Sequence, residues 1–242
     1  WVIAAEGRPG TEPHFGYLKF FHRQDGGQDL KLHTIIDRPH EGRVNDIACA
    51  NVNGTWVACS VSTKDNFKIY KLSDGQFSDA TLDYKEQWSV FYADPLTDSC
   101  PSKCALNSNG HLAIVYGSVI VVMDIAPLLR GDVVHPVFLG KTRLGRQLNQ
   151  RVFEQVDFCG LNNTLVARTN NDLLTIAYCG DDVKSWRVKR WNFPIQDYCL
   201  SLDAAKVFAV GCDQKANPFL FEFDLPTLKL NKTEPLTRRM KR

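Results

Sequence analysis

The sequence predicts an all-β chain of the β-propeller class, and three observations support this. A short apolar segment recurs about every 50 residues, a spacing typical of propellers and other repeat arrays. Turn residues separate the segments at regular intervals, and no window of about 12 residues carries a helical apolar stripe. The recurring segments are YLKFFH (17–22), FKIYKL (67–72), VIVVMD (119–124), LLTIAY (173–178) and FLFEFD (219–224).

Further strands can be drawn around each recurring segment. The segments before it are VIAAEG, WVACSV, HLAIVYG, TLVART and KVFAVG, and four of these follow VNDIACA, PSKCALN, FEQVDFCG and DYCLSL. The turns NVNG, NSNG and LNN separate three such pairs, and Asn and Gly tolerate the positive φ of tight hairpins. A fourth strand follows most units, as LKLHTIID, EQWSVFYA, VVHPVFLG and SWRVKRW. Four strands in each of about five units indicate a propeller.

These strands define five predicted blades within residues 1–236. Their predicted bounds are 1–38, 39–94, 95–140, 152–192 and 195–230. The first blade lacks its innermost strand, because Trp1 already lies in the second strand. Propellers usually close with about four to eight blades, so we expect the C-terminal part of a larger, seven-bladed WD-type ring. The alternatives are an open fragment that another chain completes, its last strand ending near Lys229 as a closing strand or an exposed edge, and a β-sandwich, which would not need a repeating unit.

The composition argues against several functional classes. The 242 residues are 44% hydrophobic and 23% charged, with a net charge of +2, so a nucleic-acid surface would require local clustering of basic residues. No apolar run of about 18 residues is present, so we expect no membrane span. Nucleotide-binding, hydrolase and zinc-protease motifs are absent, and we therefore expect no catalytic residues, cofactor or metal. An enzymatic propeller would need its site on the innermost strands, where we expect Asp46, Asp157 and Asp197 to line a wet channel or cap turns.

The eight cysteines are expected to be reduced. Five of them, Cys49, Cys59, Cys159, Cys199 and Cys212, lie in apolar runs, where free cysteine behaves as a small hydrophobe. A disulfide framework is the alternative. Cys100 and Cys104 have C-x3-C spacing without a second pair, so zinc is not expected there.

The second blade contains a degenerate form of the WD-repeat hydrogen-bond network. In such a repeat, a histidine, a serine or threonine, an aspartate and a tryptophan satisfy one another inside the blade. The corresponding residues are His40, Ser60 or Ser62, Asp65 and, in place of tryptophan, Tyr70. We expect a structural role for them and no catalytic one.

Two basic clusters are candidates for contact with RNA phosphate or an acidic partner. The first, 140–151, is predicted to be an exposed loop between blades and contains Lys141, Arg143, Arg146 and Arg151. The second, the tail 237–242, contains Arg238, Arg239, Lys241 and Arg242. A solvated loop and tail are the simpler interpretation, and nuclear targeting is a further alternative for the tail.

The stretch LKLHTIIDRPHEGRVNDIACANVNGTWVACSVSTKDNFKIYKL, followed by QWSVFY, resembles the second propeller of the tandem WD-repeat subunit of UtpA. UtpA, also called t-UTP, is a subcomplex of the small-subunit processome. The resemblance rests on Pro39–His40, on the segment 62–70 and on Trp88 with Phe91. It extends over about residues 1–125 and returns at FLFEFDLPTLK.

The resemblance implies a non-catalytic scaffold in the nucleus and nucleolus. Such a protein would assemble the pre-18S rRNA particle, associate with the small nucleolar RNA machinery and support rDNA transcription. Its partners would be other WD-repeat and helical subunits, with pre-rRNA or small nucleolar RNA, and no membrane. The alternative is a WD-repeat adaptor of another complex, such as a nuclear pore coat, a ubiquitin ligase or vesicle traffic.

Overall fold

The structure, a computed structural model, consists of two compact units that divide after Arg143. It describes residues 2–7, 16–23, 29–37, 40, 42–63, 66–73, 76–79, 100–133, 136–143, 152–160, 164–169, 172–177, 187–191, 195–201, 203, 205–212, 217–225 and 229–236. We describe each unit by itself.

The first unit contains three antiparallel sheets. The first sheet has three strands: β1 (Val2–Gly7), β2 (Gly16–Arg23) and β3 (Leu30–Asp37). The second has four: β4 (Val44–Val52), β5 (Thr55–Ser62), β6 (Asn66–Ser73) and β7 (Gln76–Asp79). The third also has four: β8 (Pro101–Leu106), β9 (His111–Tyr116), β10 (Val119–Asp124) and β11 (Val137–Arg143).

The second unit contains two four-stranded antiparallel sheets. The fourth sheet is β12 (Phe153–Phe158), β13 (Thr164–Thr169), β14 (Leu173–Ala177) and β15 (Arg187–Trp191). The fifth is β16 (Ile195–Leu200), β17 (Lys206–Cys212), β18 (Pro218–Asp224) and β19 (Lys229–Pro235). In all five sheets the strand order follows the chain order. The predicted all-β architecture of repeated four-stranded sheets is therefore confirmed.

Each sheet has two faces, which we name by their neighbours along the chain. The leading face packs against the preceding sheet, and the trailing face packs against the following one. Leu18 and Phe20 on the trailing face of the first sheet form a buried cluster with Ala58 and Tyr70 on the leading face of the second. The alternation of side chains along a strand therefore separates two cores within one sheet.

The largest core of the first unit lies between the second and third sheets. Val57, Cys59 and Ile69 contact Ile114 and Val121 there, all of them buried. In the second unit, the fourth and fifth sheets enclose an equivalent core, which contains Val166, Tyr198, Val207, Phe221 and Phe223. Burial of aliphatic and aromatic side chains between sheets is the main stabilising contribution in both units.

The same strands meet at each of these interfaces. The second strand of one sheet contacts the first strand of the next, as β5 contacts β8 and β13 contacts β16. Strand β1 contacts β4 in the same way. Strand β1 therefore occupies the place of a second strand, and the described part of the first sheet has no counterpart of the innermost strand.

Each of the four described innermost strands carries a bulge near its start. The pairing register shifts between Val44 and Asp46 in β4 and at the corresponding place in β8, β12 and β16. The residues that follow the bulges are Asp46, Lys103, Gln155 and Asp197. A bulge increases local twist and redirects side chains, so these four positions are equivalent and polar.

Two predicted Asn-Gly turns have the expected backbone. Asn53 and Gly54 both have positive φ, 51° and 88°, as a type I′ hairpin requires. Gly110, with φ of 85°, is also restricted by packing, because a Cβ atom there would lie 2.9 Å from the Cβ of Ala126. A five-residue helix, α1 (Ala126–Arg130), follows β10 and ends at Gly131 in the left-handed conformation. The sequence did not predict this helix, because one turn is too short to show a periodic stripe.

The outer strands differ most from the prediction. The fourth strand of the second sheet is β7, whereas the predicted EQWSVFYA lies outside the described residues. The chain returns directly after β6, so the nearest segment pairs with it, Ser73 opposite Gln76. Strand β11 continues through Lys141 and Arg143, so residues 140–143 are strand and not the predicted loop. The last strand begins at Lys229, where it was predicted to end, because β19 is largely exposed and polar and gives no apolar signal.

Candidate functional site

The blade network of the second sheet centres on a buried histidine–serine pair. His40 lies before β4, and Ser60 lies on the leading face of β5. The His40 Nε2 atom is 2.7 Å from the Ser60 Oγ atom. His40 is 2% exposed and Ser60 is fully buried. A hydrogen bond between two buried groups satisfies both, and loss of either partner leaves the other with an uncompensated desolvation cost.

The other predicted members of the network lie beside this pair or outside the described residues. Ser62 and Tyr70 are buried. The Tyr70 ring meets Phe20 of the first sheet edge-on, with ring centroids 6.3 Å apart, a favourable aromatic geometry. Tyr70 thus connects the network to the neighbouring sheet. Asp65 lies outside the described residues, so its role remains a prediction.

The fourth sheet contains a second network that the sequence analysis missed. The Asp172 N–H donates to Thr169 Oγ1 at 3.2 Å, and the Thr169 N–H donates to the Asp172 carbonyl at 2.9 Å. Both residues are buried. The missed signal is a spacing: Thr169 and Asp172 are three residues apart, as are Ser62 and Asp65.

Polar side chains of the innermost strands join the sheets of the first unit. An Asp46 carboxylate oxygen accepts a hydrogen bond from the Cys104 N–H at 3.1 Å, and the other lies 3.9 Å from Lys103 Nζ. Asn45 Nδ2 donates to the Pro101 carbonyl at 2.7 Å. Asp46 therefore bonds the backbone of the neighbouring sheet, which is a structural use of an acid that we expected to line a channel or cap a turn.

An equivalent set joins the sheets of the second unit. Gln155 Nε2 donates to the Tyr198 carbonyl at 3.1 Å, and the Tyr198 hydroxyl donates to the Val166 carbonyl at 2.8 Å. Asp157 accepts from Gln155 at 3.4 Å, and Asp197 accepts from the Tyr198 N–H at 2.8 Å. These acids orient neighbouring strands.

Burial keeps two ionisable groups of this second set neutral. Burial and the nearby Asp157 raise the pKa of Cys159 to about 12. Burial, with a smaller contribution from Asp157, also raises the pKa of the Tyr198 hydroxyl well above its ordinary value. Both groups are protonated at neutral pH, so Cys159 is a poor nucleophile and Tyr198 acts as a hydrogen-bond donor.

The described cysteines contain no disulfide. Seven are free thiols, and Cys179 lies outside the described residues. The Cys100 thiol donates to the Thr63 carbonyl at 2.7 Å, whereas the Cys104 thiol faces the Cys59 carbonyl at 3.8 Å. No group of three metal-binding side chains occurs within the described ranges. In those same ranges, no helix has the length and apolar character needed to cross a membrane.

The predicted basic clusters are only partly described. Lys141 is exposed on the outer strand β11, opposite Val121 of β10, and Arg143 ends the same strand. Arg146 and Arg151 lie outside the described residues, as does the tail with Arg238, Arg239, Lys241 and Arg242. The structure therefore fixes where the first cluster begins, at the outer edge of the third sheet.

Comparison with known proteins identifies the fold. Saccharomyces cerevisiae Sqt1 aligns with a TM-score of 0.60 and 10% identity over 91% of this chain. The WD40 domain from Toxoplasma gondii coronin aligns with 0.59 and 12% over 98%, and the β-propeller domain of Myceliophteria thermophila Cps50 (Swd1) with 0.56 and 12% over 96%. The fold is a WD40 β-propeller.

The propeller likeness is structural and partial. No family model matches the sequence, and no curated protein matches it. The chain spans 56% of the Sqt1 chain, 57% of the coronin chain and 69% of the Cps50 (Swd1) chain. At such low identity these likenesses establish the fold alone, so the UtpA resemblance remains a matter of sequence.

Proposed function

We propose that this chain belongs to a non-catalytic WD-repeat scaffold of ribosome biogenesis. It acts in the nucleolus, in assembly of the small-subunit processome and in pre-18S rRNA processing, and it supports rDNA transcription. The observation that carries the proposal is the UtpA-like segment from Leu30 to Leu72, together with Trp88 and Phe91. The buried His40–Ser60 pair supports it, because the histidine of the Pro-His pair occupies a structural position in its blade.

The chemistry of the described polar groups favours a scaffold. The buried network residues bond each other, and Asp46, Asp157 and Asp197 bond neighbouring strands. These groups hold blades together. A scaffold needs such rigid blades because it presents fixed surfaces to its partners, which we propose are other WD-repeat and helical subunits.

The basic segment that begins on β11 is the proposed RNA contact. Residues 140–151 contain four basic and no acidic side chains, and Lys141 is exposed at the sheet edge. Basic groups that neutralise phosphates release counterions, so RNA binding through this segment weakens as salt concentration rises. The tail, with Arg238, Arg239, Lys241 and Arg242, is proposed to add to the same contact.

The test is affinity purification of the tagged full-length protein at moderate salt, with identification of the co-purifying proteins and RNA. The proposal predicts UtpA subunits and pre-18S RNA. Recovery of a different complex without rRNA precursor would overturn it and favour the adaptor function, while the propeller would remain.

A charge-reversal variant separates RNA contact from assembly. Glutamate at Lys141, Arg143, Arg146 and Arg151 is expected to reduce recovery of RNA and to leave the protein partners unchanged. The matched control is Lys206→Glu with Lys232→Glu, since both lysines are exposed and form ion pairs within the fifth sheet, with Glu222 and Glu234. Equal RNA recovery from the two variants would show that the 141–151 segment does not bind RNA.

A further inference from the structure

The first sheet has an apolar leading face that is exposed. Leu30, Leu32 and Ile35 of β3 are 48%, 50% and 48% exposed. In the pairing register Leu32 lies opposite Phe21, and Ile35 lies opposite Lys19. Cross-strand partners share a face, and Phe20, the neighbour of Phe21, points into the core with the second sheet. The three exposed side chains therefore lie on the opposite, leading face.

The fifth sheet has an exposed trailing face. Its leading face is the one that contains Val207, Ala209 and Phe221 in the core with the fourth sheet. Phe208 and Val210 alternate with these residues on β17, so they lie on the trailing face. Both are only half-buried.

Other trailing-face residues of the fifth sheet follow from the register. Leu220 lies opposite Val210, and Cys199 lies opposite Phe208. Leu220 is half-buried and Cys199 is exposed. The lysine of the ion pair between Lys206 and Glu222 precedes Phe208 by two residues, so this pair borders the same face. The face is therefore an apolar patch with a charged border.

These two faces are of complementary kinds. Each interface between sheets within a unit joins a trailing face to a leading face, as between the first and second, the second and third, and the fourth and fifth sheets. Trailing-face residues Phe208 and Val210 stand two residues apart on a second strand, as Val57 and Cys59 do on β5 in the core with the third sheet. A second copy of this chain presents both the surface that each exposed face lacks and the same strand geometry.

We propose that two copies of this chain associate head to tail, the trailing face of the fifth sheet in one copy packing on the leading face of the first sheet in the other. The contact repeats between chains the blade-to-blade packing seen within each unit. A heterologous interface of this kind leaves one face free at each end of a dimer, so further copies add as concentration rises. Burial of the exposed leucines and isoleucine drives the association.

The first test is sedimentation of the chain at concentrations from about 1 to 100 μM, a range that covers interfaces of modest affinity. The proposal predicts dimers and larger species that increase with concentration. The double variant Leu32→Lys with Ile35→Lys should weaken association about tenfold or more, because it would bury unpaired charge. The matched control is Val137→Lys with Phe138→Lys, which changes two exposed apolar residues on another outer strand. A monomer across the whole range would overturn the proposal.

Mixing variants tests the head-to-tail arrangement. Phe208→Lys alters only the trailing face, and the Leu32, Ile35 double variant alters only the leading face. Each variant alone should remain monomeric, and their mixture should form a dimer that does not extend, since each supplies the face that the other lacks. Self-association of the Phe208→Lys variant to the wild-type extent would contradict the proposal. Circular dichroism of each variant checks that the fold is retained.

Discussion

The second and fourth blades solve the same structural problem with different residues. In the second, His40 and Ser60 form the buried pair, and Tyr70 packs on the leading face. In the fourth, the register places Ile176 opposite Leu165, where the second blade has Tyr70 opposite Ala58. Ala167 stands two residues after Leu165, where the second blade has Ser60, and the buried polar pair is instead Thr169 with Asp172.

The difference shows which part of a WD repeat the blade requires. The aromatic position accepts an aliphatic side chain, because its contribution is buried apolar area. The serine position accepts alanine when no histidine requires a partner. A polar residue pair near the turn between the second and third strands is described in the fourth blade, where Thr169 and Asp172 satisfy the turn backbone.

The largest expected effect is at the aromatic position of the second blade. Tyr70→Ala should lower the free energy of unfolding by about 3–5 kcal/mol, because it removes a fully buried ring. Ile176→Val, at the equivalent position of the fourth blade, should cost about 0.5–1.5 kcal/mol. Urea denaturation followed by circular dichroism measures both. A loss below about 1 kcal/mol for Tyr70→Ala would contradict the burial assigned to this ring.

The histidine–serine pair should show coupling. Ser60→Ala is expected to cost about 1–3 kcal/mol, since it leaves a buried ring nitrogen unpaired. A double-mutant cycle with His40→Ala should give a coupling energy of about 0.5–3 kcal/mol. Ser62→Ala, a buried hydroxyl on the same face, is the reference substitution. Strictly additive effects of His40→Ala and Ser60→Ala would show that the 2.7 Å contact does not stabilise the blade.

The turn pair of the fourth blade should contribute less. Thr169→Val keeps the shape of the side chain and removes the acceptor for the Asp172 N–H, at a cost of about 1 kcal/mol. Thr164→Val, at the other end of the same strand and half-buried, is the control and should be nearly neutral. Equal losses for the two substitutions, measured by urea denaturation, would argue against a special role for the turn.

The smallest expected effect concerns a histidine outside both networks. Burial lowers the pKa of His111 below its ordinary value of 6.5, and the charge of Asp124 opposes this shift. The unfolded chain therefore takes up a proton at higher pH than the folded chain, so this residue's contribution to stability is present above pH 6.5 and is lost as pH falls through the lower, folded pKa.

His111→Gln should make the fall in stability below pH 6.5 slightly shallower, because glutamine does not titrate. Thermal unfolding at a series of pH values measures the slope. An unchanged or steeper acid slope would show that the folded state does not disfavour the charged ring.

The second and third strands of each blade could be predicted from the sequence, and the outer strands could not. FKIYKL and VIVVMD carry buried apolar residues, so their pattern identifies them within a residue or so. Strand β19 reads KLNKTEP and lies on the exposed edge, where burial imposes no pattern. Strand β11 runs into the basic segment because edge pairing requires only backbone groups and tolerates lysine and arginine.

The candidate site was predictable to the extent that its residues resemble a complete WD repeat. His40, Ser60 and Tyr70 were identified because a nearly full set is present in one blade. Thr169 and Asp172 were missed because the histidine and aromatic positions around them have changed. The bulges before Asp46 and Gln155 have no sequence signature, since the extra residue is fixed by pairing with the neighbouring strand.

The central claim is a scaffold role in small-subunit assembly, and its most direct test is conditional depletion of the protein followed by measurement of rRNA precursors. The account predicts that mature 18S rRNA falls and its precursors accumulate, while large-subunit rRNA that is already transcribed is processed normally. Normal 18S rRNA production after complete depletion would contradict the account.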